Sequence, residues 1–125
     1  MIVNEWALSF RLAWARLSFR LFGGLTLLAT ICGSAFFLTR LLRGATSAST
    51  IVLHYNVYLG IDNVQMRLWA FLLPGIWMCS TFLNLLLASC SYRRDREMAL
   101  SLLLFSFFSC FVWMIVLFYL SLVNG

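Results

Sequence analysis

Residues 51–62 have the sequence IVLHYNVYLGID and lie between two long apolar segments. The stretch contains the only histidine, His54, and two of the four tyrosines. Every second position from Ile51 to Ile61 is hydrophobic or aromatic. This period of two predicts an extended strand, and residues 60–63 predict a turn after it. Because a lone strand cannot satisfy its own backbone groups, it must pair with itself, with another chain or with water.

The composition of the whole chain is typical of a membrane protein. Of its 125 residues, 63% are hydrophobic and only 10% are charged, and the mean hydropathy is +0.96. A soluble domain has about 25% charged residues and about 45–50% apolar ones. A chain of this length cannot bury the excess apolar side chains in its own core, so we expect the lipid bilayer to be its main partner.

The net charge of +5 comes from arginines at the ends of the apolar segments, and the chain has no lysine. This placement predicts topology signals and lipid head-group contacts, with no nucleic acid as a partner. The cysteines lie within or at the end of apolar segments and form no CxxC pair, so we expect buried thiols without a disulfide scaffold or a zinc site. No metal and no cofactor is predicted. The four cysteines are Cys32, Cys79, Cys90 and Cys110.

Three segments are long and apolar enough to be transmembrane helices, namely residues 21–42, 68–90 and 98–120. The Gly23–Gly24 pair predicts a bend where the first span begins. Pro74 predicts a kink in the second span, because proline removes a backbone hydrogen bond inside a helix. These segments make the chain an all-α membrane protein with three transmembrane helices.

Residues 1–20 precede the first span and carry hydrophobic side chains at helical spacing. This pattern predicts an amphipathic interfacial helix, with a simple extension of the first span as the alternative. Residues 45–48 would suit a signal peptidase, but the apolar run exceeds the about 7–15 residues of a signal peptide, so we expect the span to be retained. The apolar stripe consists of Val3, Trp6, Phe10, Ala13, Trp14 and Leu17.

Arginine counts predict the orientation in the membrane. Three arginines precede the first span and three lie in the basic loop 91–97, whereas the loop 43–67 and its border have three in all. An excess of arginine marks the cytoplasmic side. We therefore place the N-terminus and the loop 91–97 in the cytoplasm. The strand-like loop 43–67 and the tail 121–125 are then extracytoplasmic.

Small and polar residues recur at intervals of four along parts of the predicted spans. Small residues allow helices to approach closely, and an amide within a span needs a partner that lipid does not offer. The candidate helix-packing residues are Thr26, Thr30, Gly33, Ser34, Asn84 and Ser106.

The polar side chains of the central stretch are a candidate ligand-binding or partner-binding site. On one strand, alternate residues share a face, and this face would carry His54, Asn56, Tyr58, Gly60 and Asp62. Imidazole is the one side chain whose unperturbed pKa lies near physiological pH, so a small polar patch with a titratable group is available there. The alternative is that these groups hydrogen-bond within the loop at the membrane surface. No catalytic residue is predicted, because the cysteines lie at membrane depth and no serine lies in a strained turn. The candidate residues are His54, Tyr55, Asn56, Tyr58 and Asp62.

The segment from Leu53 to Asp62 resembles a Leu-His-Tyr-Asn-x-Tyr-x-Gly-x-Asp motif of uncharacterised small bacterial membrane proteins of the candidate phyla radiation type. In that family the motif follows one membrane helix and precedes two more, and here the resemblance covers residues 51–122. The chain is also similar, more loosely, to the domain of unknown function in relatives of a bacterial toxin-immunity membrane protein. It differs from that domain in having Leu53 in place of a proline and Gly60 one position late. The resemblance implies a multi-pass protein of the bacterial cytoplasmic (inner) membrane and implies no activity.

Three hypotheses about function stay open. The first is a non-enzymatic membrane protein whose outer loop docks a protein partner or a ligand, by strand addition. The second is a structural accessory subunit or homo-oligomer held by helix contacts. The third is a small transporter, channel or toxin-immunity protein, by analogy with the looser similarity.

Overall fold

The computed structural model describes residues 2–43, 50–56, 60–66 and 71–124, with the two short segments described by their backbone. These residues form four helices and one β-hairpin, so the expected helical character is confirmed. The hairpin is inserted between the second and third helices. In chain order the elements are α1 (Ile2–Ala15), α2 (Leu17–Arg43), β1 (Thr50–Asn56), β2 (Gly60–Met66), α3 (Leu72–Ser91) and α4 (Arg96–Asn124).

Helices α2, α3 and α4 are each long and apolar enough to cross a membrane. They contain 27, 20 and 29 residues, and about 20 residues span the hydrocarbon core of a bilayer. The three helices pack against one another. Their outer surface carries large apolar side chains such as Phe105 and Ile115, which are 64% and 69% exposed. Lipid is the solvent that covers such a surface, so the fold fits a multi-pass membrane protein.

The interior of the bundle contains small polar side chains between two apolar clusters. One cluster surrounds Phe19 and Leu103, near α1, and the other surrounds Trp77 and Leu117. Small side chains at helix contacts let the backbones approach, which is how membrane helices gain packing energy. The buried polar residues are Ser9, Thr26, Thr30, Ser34, Thr81, Ser89, Ser106 and Ser121.

The break between α1 and α2 falls at Arg16. The expected single helix over residues 1–20 is therefore wrong, and so is the expected bend at Gly23–Gly24, because α2 continues through both glycines. The break lets α1 turn onto α3, against which it packs. Local glycine content was a poor guide here because the direction of the chain is set by contacts of α1 with another helix.

Gly23 makes room for a side chain of α1 instead of bending the chain. A Cβ atom at this position would lie 3.3 Å from the Trp14 ring and 3.8 Å from the side chain of Leu103. The first distance is shorter than an ordinary van der Waals contact, so a larger residue would push the ring away. The glycine thus allows α1 to lie close to α2.

Pro74 lies in the first turn of α3, which begins at Leu72. The predicted kink is wrong for this reason. The first four backbone N–H groups of a helix have no partner inside the helix, so a proline there removes no hydrogen bond. Residues 68–70, which were expected to open this span, lie outside the described residues.

A tight turn joins α3 to α4 and is shorter than the predicted loop 91–97, because both ends of that loop are helical. The backbone N–H groups of Arg94 and Asp95 donate to the Ser91 carbonyl at 2.9 and 2.8 Å. The Asp95 carboxylate accepts a hydrogen bond from the Met98 N–H at 2.9 Å. Asp95 is therefore the N-cap residue of α4. An aspartate at this position accepts a hydrogen bond from a backbone N–H of the first helical turn.

Strands β1 and β2 pair with each other in antiparallel fashion, with Thr50 opposite Met66 and Asn56 opposite Gly60. The strand that was expected to run through residue 61 therefore ends at Asn56. Residues 60–63, expected as a turn, belong to β2. Pairing across the hairpin overrides the local turn preference of these residues, because it satisfies backbone groups of both strands. The connection at residues 57–59 lies outside the described residues.

Candidate functional site

The hairpin carries the candidate site of the central stretch. His54, Tyr55 and Asn56 belong to β1, Asp62 belongs to β2, and Tyr58 lies outside the described residues. The prediction that His54, Asn56 and Asp62 share one face of a single strand is therefore wrong. The chain reverses between them, so the acidic residue comes from the partner strand.

The register keeps the histidine and the aspartate close along the ladder. His54 is opposite Asn63 and Tyr55 is opposite Ile61, so Asp62 lies between these two pairings. The ladder is irregular on both sides of His54. Bulge-like irregularities are common where a strand presents residues for function, and they also increase local twist.

The hairpin is a sheet of two strands, β1 and β2. Each strand has seven residues, and no third strand extends the sheet within the described part of the chain. In an antiparallel pair, about half of the backbone N–H and C=O groups of each strand point away from the partner strand. Such an edge is a template for another extended segment. Strand β1 also lies close to α4, so the hairpin rests against the helical bundle.

A polar cluster joins the three long helices in the middle of the bundle. The Thr30 hydroxyl lies 2.8 Å from the Thr26 carbonyl oxygen, 3.4 Å from the Thr81 hydroxyl and 3.4 Å from the Cys110 sulfur. The Cys110 thiol also donates to the Thr26 carbonyl at 3.7 Å. The cluster contains no carboxylate, amine or imidazole, so its chemistry suits helix association rather than catalysis.

The other predicted packing residues have different surroundings. A Cβ atom at Gly33 would lie 2.7 and 2.9 Å from two ring atoms of Trp77, so the glycine accommodates the indole. Ser34 and Ser106 are buried, and their hydroxyls have no hydrogen-bond partner among the described residues. Asn84 is half-buried, and its amide likewise makes no hydrogen bond within the described part.

Residue Ser9 fixes α1 to the end of α3. Its hydroxyl lies 2.9 Å from the carbonyl oxygens of both Ser89 and Cys90 and donates its one proton to them. The same oxygen accepts a hydrogen bond from the Arg93 N–H at 3.0 Å. The last carbonyls of a helix have no partner inside the helix. A side chain from a different helix thus satisfies the end of α3.

Aromatic rings surround this contact. The Trp14 indole N–H donates to the Ser89 hydroxyl at 3.0 Å. The Trp14 ring contacts Phe19 edge to face at 5.7 Å between centroids, and Phe19 contacts Tyr92 in the same manner at 5.6 Å. Such pairs contribute roughly 0.5–1.5 kcal/mol beyond the area that they bury. The helix α1 is therefore an integral part of the bundle along its Ser9 face.

Only part of the predicted apolar stripe of α1 packs against the other helices. Ala13 is buried, but Trp6 and Phe10 are 59% and 44% exposed. The residue buried beside Ala13 is Ser9, which is not part of the predicted stripe. The exposed aromatic side chains are left on the outer surface of α1, where lipid is available to them.

The cysteines and acidic residues form no metal site in the part of the chain that is described, since no three metal-binding side chains come together there. All four cysteines are free. The expectation of buried thiols is wrong for Cys32 and Cys79, which are exposed on the outer surface of their helices. Cys110 is buried, as expected.

No family model, no curated protein and no solved structure matches the chain. The family resemblance of the segment around His54 therefore stays a prediction. The fold places the chain in the class of helical proteins with three segments that can cross a membrane. A β-hairpin lies between the first and second of these segments.

Sequence reasoning missed several residues that hold the structure together. The roles of Ser9 and Ser89 could not be predicted from the sequence. A serine in a helical segment can hydrogen-bond to another helix or to its own backbone, and the sequence does not distinguish the two. The cap at Asp95 had a signal, since an aspartate directly before a long apolar helix is a typical N-cap. Gly33 was found by its spacing, but its partner Trp77 was not, because spacing along one helix does not identify the residue that fills the gap.

Proposed function

We propose that this chain is a non-enzymatic, multi-pass protein of the bacterial cytoplasmic membrane that docks a partner protein through the β1–β2 hairpin. The observation that supports this function is a two-stranded sheet whose outer edges pair with no further strand among the described residues, beside a helical bundle that is long and apolar enough to span a membrane. The bundle then serves to anchor and position the hairpin at the membrane surface.

Strand addition suits such an edge. An extended partner segment satisfies the outward-pointing backbone groups, which gives affinity, while alternate side chains give specificity. A two-stranded hairpin alone is only marginally stable in water, and a third strand stabilises it. The residues His54, Asn56 and Asp62 then serve in specificity, since they lie at neighbouring positions of the two strands.

The orientation follows from the arginines. Arg93 and Arg94 lie in the turn between α3 and α4, and Arg96 begins α4. Three more arginines, Arg11, Arg16 and Arg20, lie around the junction of α1 and α2. The positive-inside rule puts these ends in the cytoplasm, with α1 as an amphipathic helix on the inner membrane surface. One span, α2, lies between α1 and the hairpin, so the hairpin is on the outer side of the membrane.

Photo-crosslinking along both strands tests this proposal. p-Benzoylphenylalanine is placed in turn at each residue of β1 and β2 in the full chain, expressed in its native membrane. Strand addition predicts crosslinks to one defined protein at consecutive residues of one strand, because the added strand lies about 4.7–4.9 Å from it. Docking on a face of the hairpin instead gives crosslinks at every second residue of both strands.

The control position is Leu28, which is 60% exposed on α2 and faces the lipid in this proposal. We expect no protein crosslink there. We also expect His54→Ala and Asn56→Ala to abolish capture of the same partner while the protein still inserts. A hairpin that crosslinks to no protein at any position, in a chain that is correctly inserted, contradicts the docking function.

A second candidate function, a homo-oligomeric structural subunit, is favoured by Asn84. Its half-buried amide lies on a spanning helix and has no hydrogen bond within the described residues. Interhelical amide hydrogen bonds stabilise membrane helix pairs by roughly 0.6–2 kcal/mol. Asn84→Leu is therefore expected to reduce crosslinked dimer in mild detergent, with Leu83→Val as the matched control. Unchanged oligomer size in the Asn84 variant contradicts this candidate.

A further inference from the structure

A cavity of about 360 Å³ opens where α1 meets the turn between α3 and α4. The turn joins two helices that can each cross a membrane, so the cavity lies at the level of the lipid head groups when they do so. It lies at the opposite end of α3 from the hairpin and is independent of the docking function proposed above. The lining residues are Glu5, Trp6, Ser9, Cys90, Arg93 and Arg94.

Charged groups of both signs face this one cavity without neutralising each other. Glu5, Arg93 and Arg94 are exposed, and their charged groups form no ion pair with any described residue. A carboxylate accepts hydrogen bonds and a guanidinium donates five. The cavity therefore offers both a free acceptor and free donors to a ligand that carries both charges.

The backbone that carries these charges is held in place. The Arg93 N–H donates to the Ser9 hydroxyl at 3.0 Å, and this oxygen belongs to the same helix as Glu5. On the other side of the turn, the Arg94 N–H donates to the Ser91 carbonyl at 2.9 Å. Hydrogen bonds thus fix the turn relative to α1 before any ligand arrives, which lowers the entropy lost on binding.

We propose that this cavity binds the head group of a phospholipid that carries both a phosphate and a primary ammonium group, as phosphatidylethanolamine does. The guanidinium groups of Arg93 and Arg94 match the phosphate oxygens in geometry and charge. The Glu5 carboxylate accepts hydrogen bonds from the ammonium group. Trp6 is 59% exposed beside the cavity, and indole rings prefer the head-group level of a bilayer. The acyl chains lie against the apolar outer surface of the helices.

Glu5 selects against head groups that carry only negative charge. A phosphatidylglycerol phosphate gains the same contacts with the two arginines, but it offers the carboxylate no cation. A choline head group offers a cation but no N–H donor to the carboxylate. The proposed order of preference is therefore ethanolamine first, with glycerol and choline head groups below it.

Native mass spectrometry of the full chain tests the proposal. The protein is purified in mild detergent and incubated with an equimolar mixture of phosphatidylethanolamine, phosphatidylglycerol and phosphatidylcholine that have identical acyl chains. We expect the wild type to retain phosphatidylethanolamine most strongly. The double variant Arg93→Gln/Arg94→Gln should retain it about ten-fold less, since hydrogen bonds to charged groups contribute at least about 1.5 kcal/mol.

The variant Glu5→Gln separates selection from general affinity. We expect it to lose the preference for phosphatidylethanolamine over phosphatidylglycerol while it keeps binding to phosphatidylglycerol. Arg96→Gln is the matched control, because Arg96 follows the same turn and does not line the cavity. Its lipid retention should equal that of the wild type. Thermal unfolding of each variant verifies that the fold is intact.

Two results overturn the proposal. One is a wild type that retains the three lipids equally, and the other is a Glu5→Gln variant with an unchanged ratio of ethanolamine to glycerol lipid. Free glycerophosphoethanolamine, added at millimolar concentration, separates a lipid from a soluble ligand. An intact lipid that the protein binds more tightly than the free head group supports the lipid as the source, and a free head group that binds as tightly as the intact lipid contradicts it.

Discussion

Two tryptophans of the bundle, the half-buried Trp14 and the buried Trp77, are held in different ways. At the α1 end, the indole N–H of Trp14 donates to the Ser89 hydroxyl, and Ser9 binds the terminal carbonyls of α3 nearby. Further along the bundle, Trp77 is 0% exposed and its indole N–H has no partner among the described residues. It packs against Gly33 and stacks on Trp113 at 6.2 Å between ring centroids.

This difference shows how a small membrane bundle divides its stabilising contacts. Near the end of the spans, helix ends and turns leave backbone groups unpaired, so polar side chains are needed to satisfy them. In the middle of the spans the backbone satisfies itself, and close packing around small residues stabilises the contact. The α1 end is therefore sensitive to the loss of one hydroxyl, and the Trp77 region is sensitive to added volume.

The largest expected effect is that of Gly33→Ala. The new Cβ atom would lie 2.7 Å from a ring atom of the fully buried Trp77, so either the ring or the helix must move. Overpacking of this kind costs about 1–3 kcal/mol, and we expect the upper part of that range. The measurement is the free energy of unfolding in detergent micelles.

Gly24→Ala is the matched control for that prediction. Gly24 lies on the same helix, and a Cβ atom there meets nothing within 4 Å. We expect no loss of stability, and a small gain is consistent with the better helix propensity of alanine. Equal destabilisation by the two substitutions would show that Trp77 does not depend on the gap at Gly33.

The next largest effect is expected for Ser9→Ala. This change leaves the Arg93 N–H and the Ser89 and Cys90 carbonyls without their partner. Losing the partner of a buried polar group costs about 1–3 kcal/mol, and here we expect about 1–2 kcal/mol because water reaches the end of the spans. The measurement is proteolysis of α1, which should become faster, together with the free energy of unfolding.

The control for Ser9 is Ser18→Ala, since Ser18 is exposed at the start of α2 and makes no hydrogen bond through its side chain within the described residues. We expect it to behave as the wild type in both measurements. An unchanged proteolysis rate for Ser9→Ala would mean that the aromatic contacts of Trp14 alone hold α1 in place.

Much of this arrangement could be predicted from the sequence. The three spans follow from apolar length, because a bilayer of fixed thickness demands about 20 apolar residues per helix. The strand character at Ile51 follows from alternation with a period of two. The cluster of Thr26 and Thr30 follows from their spacing of four along one helix face.

Other features could not be predicted because they depend on distant parts of the chain. The break at Arg16 and the burial of Ser9 result from the contact of α1 with α3, which is about eighty positions away in sequence for Ser9. The hairpin was missed because residues 60–63 have turn-forming composition, and only pairing with β1 reveals them as a strand. The absence of a kink at Pro74 could not be predicted either, because it follows from the start of α3 at Leu72.

The smallest effect is expected for Thr81→Val, in the middle of the bundle. The Thr81 hydroxyl is 3.4 Å from that of Thr30, which already has the Thr26 carbonyl at 2.8 Å. Interhelical hydrogen bonds in membranes contribute about 0.6 kcal/mol on average, and valine preserves the shape of the side chain. We expect at most about that loss in the free energy of unfolding. A loss as large as that of Ser9→Ala would contradict the division between the two regions.

The most direct test of the central claim is the position of the two ends of the bundle relative to the membrane. Asp62→Cys on β2 and Arg94→Cys in the turn are made separately in a chain whose four native cysteines are replaced by alanine. Intact cells are then treated with a maleimide that cannot cross membranes. The proposed topology predicts that Asp62→Cys reacts from outside, and that Arg94→Cys reacts only after the membrane is permeabilised. Reaction of both cysteines from the same side would contradict a bundle that crosses the membrane between them.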